Sequence, residues 1–257
     1  MSLALALVSD EEAGSKYGVI PLIEKGVIKA RDLALVPDTG CPDGSEIEIA
    51  EKSILWLKIT TKGKQVHGSL PQQGLNAYRV GMRMALEIDG LLHKKYSGTD
   101  SLFDPPLSTF EPTKHELNVE NINTVPGLDV QYFDCRVLPR YSLTDVVKDF
   151  DSVKVKLEKE TGAKIELAAL QCEQNTVPSS IDSEVPNRVR TALKKLRGLD
   201  ARAVGIGGGT VALYFRRNGL DTAVWSTIDD MAHQPNEYCR IDNIVNDAKV
   251  FVHVVLS

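Results

Sequence analysis

Residues 142–162, SLTDVVKDFDSVKVKLEKETG, decide how this chain is read. Leu143, Val146, Val147, Phe150, Val153 and Leu157 recur at helical spacing and Gly162 follows as a stop. Ser142 and Asp145 have the spacing of a capping box, with Asp in place of the longer Glu. The spacing predicts a helix from Leu143 to Lys159 with one apolar face. Working outward, strands are expected at Val130 to Val137 before it and at Lys164 to Leu170 after it. Further upstream come a strand from Leu117 to Asn123, a helix from Leu75 to Leu92 and a strand from Ile54 to Thr61. That order, βαββαβ, is the ferredoxin-like split unit.

The flanks read differently. Apolar Leu3 to Val8, the acidic turn Ser9-Asp10-Glu11-Glu12, a short helix ending near Gly26 and apolar Leu33 to Pro37 suggest strand, helix, strand and a parallel sheet. After Pro178 come a helix from Val185 to Leu196 stopped by Gly198, the glycine-rich loop Gly205 to Gly209, a short helix from Thr210 to Arg217 and a strand from Thr222 to Ser226. The expected fold class is therefore α/β: one α/β domain over residues 1–52 and 172–257, interrupted by a ferredoxin-like domain over 53–171. The segment from Tyr96 to Lys114, with Pro105, Pro106 and Pro112, reads as a long loop.

Composition narrows the function. With 257 residues, 42% apolar and 25% charged, and a net charge of -5, the chain is neither a disordered segment nor a mini-protein. It carries no basic stripe, so no nucleic-acid partner is expected. The apolar run at Leu3 to Val8 is far short of the roughly 20 residues a membrane span needs, so no membrane partner is expected and a cytoplasmic location is. Cys41, Cys135, Cys172 and Cys239 form no CxxC pair and fit neither a zinc ribbon nor a disulfide framework.

Three segments place chemistry-bearing side chains beside strand ends. Glu11 and Glu12 follow the first apolar run, and adjacent carboxylates point in different directions, so one can bind a metal while the other serves as base. Asp38 follows the next strand, and His233 follows the strand holding Trp225. Carboxylates with an imidazole are a borderline ligand set suited to zinc, cobalt or manganese. A solvated acidic turn, an Asp-containing turn before Gly40 and a surface histidine account for each one singly. The loop Gly207-Gly208-Gly209 offers backbone N–H groups to a substrate carboxylate, and close backbone packing explains the glycines equally well. Nothing local gives His67 a role.

Together these segments resemble one family. Asp10-Glu11-Glu12-Ala13-Gly14, Val36-Pro37-Asp38, GKQVHGSLPQQGLNA from Gly63 to Ala77, Asn123-Thr124-Val125-Pro126, Asp134 to Pro139, Gly207 to Thr210 and Ala232 to Glu237 are similar, in order, to signatures of the metallopeptidase and amidohydrolase family that contains acetylornithine deacetylase, succinyl-diaminopimelate desuccinylase, aminoacylase and carboxypeptidase G. The resemblance implies a zinc-peptidase-like catalytic domain with an inserted lid and dimerisation domain. Glu11 then matches the general base, Glu12 a ligand of one metal, Asp38 a ligand of the other and His233 an imidazole ligand. His67 matches a lid histidine that reaches the partner subunit's active site. The implied reaction is attack of a metal-bound water on an amide carbonyl, with two zinc or cobalt ions as cofactors. The implied substrate is an N-acyl amino acid and the implied assembly a homodimer through the lid. Arg136, Gly208 and Thr210 are candidate substrate contacts; a structural salt bridge for Arg136 and an N-cap for Thr210 are the alternatives.

The sequence departs from the family in one respect. Its first metal motif, a His-x-Asp followed by a further Asp, lies well upstream of the Glu-Glu turn, and here only ten residues precede Glu11, none of them His. The expectation is a C-terminal two-thirds of a longer protein that does not complete the dinuclear site by itself. Alternatives are an aminopeptidase or dipeptidase of the same family and a non-catalytic dimerisation or binding remnant.

Overall fold

The computed structural model describes residues 3–257. In chain order the elements are α1 (Val19–Glu24), β1 (Leu33–Val36), β2 (Glu46–Glu51), β3 (Ser53–Lys62), β4 (Val66–His67), α2 (Ala77–Lys95), β5 (Thr109–His115), β6 (Thr124–Val125) and β7 (Leu128–Val137). They continue with α3 (Leu143–Thr161), β8 (Lys164–Glu173), α4 (Glu184–Arg197), β9 (Arg202–Ile206), α5 (Ala212–Arg217), β10 (Asp221–Val224) and α6 (Ile241–Leu256). Two compact units result: Met1–Glu51, Leu102–Asp104 and Asn175–Ser257 form one, Lys52–Ser101 and Pro105–Gln174 the other. The α/β class with a ferredoxin-like insert, expected from the sequence, is the fold observed.

The second unit is a four-stranded antiparallel sheet, β5-β7-β3-β8, with α2 and α3 packed on one face. Leu55, Leu57 and Ile59 of β3 alternate inward to meet Met84 and Ile88 of α2 and Phe150 of α3. Each such side chain contributes about 1.5–3 kcal/mol by leaving water. Gly81 of α2 is required by close approach, since a Cβ there would lie 2.1 Å from the buried carboxylate of Asp129. The helix α3 runs as its spacing predicts and ends on Gly162 in the left-handed region (φ 77°). Its capping box does not form. Leu143 N–H donates to Gln174 Oε1 (2.7 Å), and Asp145 pairs with Lys148 instead (2.9 Å).

In the first unit the sheet runs β1-β10-β2-β9 and is mixed, not parallel: β1 and β10 are parallel, while β2 and β9 run against them. Ile47, Ile49 and Trp225 pack against α4 and α6 on one face, and Val36 and Val224 against α1 and α5 on the other. Among the described residues no helix is long and apolar enough to cross a membrane.

Other expectations need correction. Leu3 to Val8 forms no strand; its leucines are exposed and the segment pairs with nothing in the sheet, so the apolar run there lacks a neighbour to bond. The strand expected at Leu117 to Asn123 lies earlier, at β5, inside the stretch read as loop. Pro112 obscured it: proline is tolerated there because β5 is an edge strand, and the register shifts between Pro112 and Lys114.

Candidate active site

The turn carrying Glu11 and Glu12 is wound tightly. Asp10 adopts a left-handed backbone (φ 56°), its carbonyl accepts from Ala13 N–H (3.1 Å) and Ser15 N–H (2.8 Å), and its Oδ2 accepts from Tyr17 N–H (2.8 Å). Tyr214 of α5 ties down the far side by donating its hydroxyl to Gly14 O (3.0 Å). Ser15, His233 and Asn236 are also left-handed without being glycine (φ 59°, 60° and 63°). Such backbone costs free energy and persists where the surroundings enforce it, characteristically at functional sites. These positions flank the sequence-predicted residues.

Because β1 and β10 are parallel, the chain leaves Val36 and Val224 at the same sheet edge. The two exiting segments are then laced together. Trp225 N–H donates to Val36 O (3.0 Å), Ser226 Oγ to Thr39 O (3.2 Å) and Ile228 N–H to Cys41 O (3.3 Å). Asp247 of α6 fixes Thr227 by accepting from its N–H and its hydroxyl, both at 2.7 Å. The lacing delivers Asp38 and the loop bearing His233 to one place. His233 Nε2 lies 3.7 Å from Glu12 Oε1, with side chains 76% and 77% exposed.

The charges there act on one another. Burial raises the pKa of half-buried Glu11 first, the carboxylates of Asp38, Glu12 and Glu51 add to it, and His233 opposes. Asp38 is raised by desolvation and then by Glu12, with His233 again opposing. Glu11, Glu12, Asp38 and His233 are thus brought within electrostatic reach. As a donor set, two carboxylates and an imidazole suit a borderline divalent metal. The geometry falls short of a closed site: among the described residues no three His, Cys, Asp or Glu side chains converge closely enough to hold an ion.

The remaining candidates lie elsewhere. His67, in the second unit, is exposed at the end of β4; its Nδ1 accepts from Ser69 N–H (3.2 Å) and lies 2.8 Å from Ser69 Oγ. Arg136 is bound by its neighbour, with Nε and Nη2 on the two oxygens of Asp134 (2.6 and 2.9 Å), and its guanidinium lies 6.0 Å from the Trp56 ring. Gly208 is exposed. Thr210 is buried, its hydroxyl donating to Glu51 Oε1 (2.6 Å) and accepting from Ala212 N–H (3.0 Å).

Sequence reading missed the carboxylates behind that last contact. Glu48 and Glu51 of β2 face Arg216 of α5 with side chains 2%, 0% and 4% exposed, and Arg216 Nη2 stands 2.9 Å from Glu48 Oε1. Burial pushes the pKa of Glu48 up to about 8 against the pull of Arg216, and raises Glu51 as well. The alternation Glu-Ile-Glu-Ile in β2 reads as a half-buried strand with its glutamates in water, so it carries no sign that they are enclosed.

Residues 49–161 match the model of a peptidase dimerisation domain of the M20 type. An uncharacterized metallohydrolase of Methanococcus maripaludis is 39% identical over 270 residues, covering 99% of this chain and 65% of its own length. A second, of Methanocaldococcus jannaschii, is 40% identical with the same coverage. A succinyl-diaminopimelate desuccinylase of Nitratiruptor sp. is 25% identical over 100% of this chain and 68% of its own. Among solved structures, the aminopeptidase PepT of Bacillus cereus shares the fold, with TM-score 0.74 at 16% identity, covering 96% of this chain and 62% of that one. The chain spans about 65% of the length of the first two relatives.

Proposed function

The chain belongs to the metallohydrolase family whose members carry this dimerisation domain, and from that premise we propose that it is the larger part of a metal-dependent hydrolase of amide bonds in N-acylated amino acids. The observation that carries the reading is the gathering of Glu11, Glu12, Asp38 and His233 on strained or laced loops, where the charges of Glu12 and His233 act on both Glu11 and Asp38. Glu12, Asp38 and His233 are this chain's contribution to the metal site, with zinc or cobalt as the metal; the described residues do not close that site. Glu11 is the proton carrier. A half-buried carboxyl surrounded by other carboxylates holds a proton more tightly than an ordinary glutamate, which suits a group that takes a proton from water and returns it to a leaving amine.

The similarity to desuccinylases supports an N-succinyl amino acid as substrate, and an N-acetyl amino acid is kept beside it from the sequence resemblance. The likeness to PepT keeps a peptidase activity as the second reading, distinguished by a requirement for a free substrate amine. The dimerisation domain supports a homodimer, in which His67 is the lid group that reaches the partner's site. The test is hydrolysis of N-acetylornithine, N-succinyl-diaminopimelate and a free dipeptide by the natural full-length protein, before and after metal removal. Metal-dependent cleavage of an N-acyl substrate is the expected outcome. Cleavage of the dipeptide alone selects the second reading, and cleavage of none contradicts both.

A further inference from the structure

The helix α2 holds two glycines, and the fold explains one of them. Gly81 stands against the buried carboxylate of Asp129, where a Cβ would lie 2.1 Å from an oxygen. Gly90 lies inside the same helix, exposed and outside the left-handed region, and a Cβ there would meet nothing within 4 Å. An exposed glycine in a helix interior weakens the helix relative to alanine. Nothing among the described residues calls for one at Gly90.

Gly90 also ends a row. Tyr78, Met82, Leu86 and Gly90 follow one another at intervals of four, which aligns them as a single ridge on the helix surface. The stripe of α2 that enters the core is a different one, made by Val80, Met84, Ile88 and Leu92. All four ridge residues are exposed, Leu86 at 75%. The ridge itself carries no charge. Beside it Arg83 and Glu87 are engaged with α3, Arg83 donating to Glu160 (2.6 Å) and Glu87 accepting from Lys156 (2.8 Å). At its first residue the Tyr78 ring is set against His115, with ring centroids 5.3 Å apart.

An apolar ridge left in water on a regular helix marks a contact surface, and the order of its residues says what fits. Two copies of α2 that cross antiparallel, about a two-fold axis at the middle of the ridge, run Tyr-Met-Leu-Gly against Gly-Leu-Met-Tyr. Tyr78 of one copy then falls on Gly90 of the other, and Met82 of one on Leu86 of the other. The largest side chain of the ridge meets the position that has none, and symmetry makes the contact twice. Residues 49–161, which match a peptidase dimerisation domain, contain the whole of α2.

We infer that α2 packs antiparallel on α2 of a second copy of this chain, with Gly90 as the socket for the Tyr78 ring of the other copy; this rests on the homodimer reading above and names the surface that makes it. The missing side chain at Gly90 lets the ring lie on the helix backbone. Tyrosine is well suited to such an anchor, since it buries a large area with few torsions to fix.

Sedimentation of the natural full-length protein over a range of concentrations tests the seat. Wild type is expected to dimerise. Gly90→Leu fills the socket with a good helix former, in space that a single copy leaves open, so the fold holds while the dimer dissociation constant rises about tenfold or more. Tyr78→Ala removes the ring and raises the constant by a similar factor. Combining the two gives the new leucine the space the ring has left, and the dimer returns to within about threefold of wild type. An unchanged dimer in either single variant overturns the socket, and a double variant that loses the sum of both single losses overturns the facing of Tyr78 and Gly90. A wild type that stays monomeric at every concentration contradicts the homodimer reading itself.

Discussion

Two charge clusters in the first unit differ chiefly in their contact with water. Glu12 and His233 face each other with about three-quarters of each side chain exposed, on a backbone strained at His233. Glu48, Arg216 and Glu51 are almost wholly enclosed between β2 and α5. An exposed pair contributes about 0–1 kcal/mol and does not by itself repay a left-handed backbone. A buried cluster with two acids and one base must hold a proton or carry a net charge in a poor solvent for it. The first arrangement is open to a ligand, and the second orders the chain around it.

The sharpest way to break this contrast is Arg216→Met. It strands two buried carboxyls without a counter-charge, and a loss of about 3–5 kcal/mol in urea unfolding is expected. A loss below about 1 kcal/mol means that the carboxyls are not held by Arg216.

Next in size is the pH dependence. Because the folded-state pKa of Glu48 is raised from 4.5 to about 8, the folded protein binds more protons than the unfolded chain between those values. The Glu48 contribution is thus fully present below pH 4.5 and is lost as pH rises through about 8. Its slope approaches about 1.4 kcal/mol per pH unit at most. Glu48→Gln, neutral throughout, is expected to flatten the fall in Tm across that window, and an unchanged slope assigns the proton elsewhere.

The smallest effect belongs to the exposed cluster. Glu12→Gln is expected to alter stability by less than about 1 kcal/mol while removing metal-dependent activity from the full-length protein. A large stability loss there erases the distinction between the clusters.

How much of this was legible in the sequence differs by region. The apolar period of α3 and the inward alternation of β3 reflect local rules, and both elements fall where those rules put them. The segments after β1 and β10 were legible because strand ends followed by Asp38 and His233 need only the strands to be recognised. By contrast β2 was passed over: its Glu-Ile alternation looks solvent-facing, although every residue after Glu46 is buried. Neither the bulge at Ile49, where the pairing with β9 shifts, nor the pairing of Glu51 with Arg216 has a local signature, since both depend on distant strands and helices. The apolar helix α6 was missed too, with Ile241, Val245, Val252 and Leu256 exposed. Leu3 to Val8 failed for the converse reason, because an apolar run makes a strand only where a neighbour accepts its hydrogen bonds.

The most direct test of the account is metal affinity in the natural full-length protein, measured by equilibrium dialysis against zinc or cobalt for wild type, Glu12→Gln and Glu48→Gln. The account predicts tight retention by wild type and by Glu48→Gln, and loss of about tenfold or more in affinity for Glu12→Gln. Equal retention by all three variants, or none by wild type, contradicts the assignment of Glu12, Asp38 and His233 to a metal site.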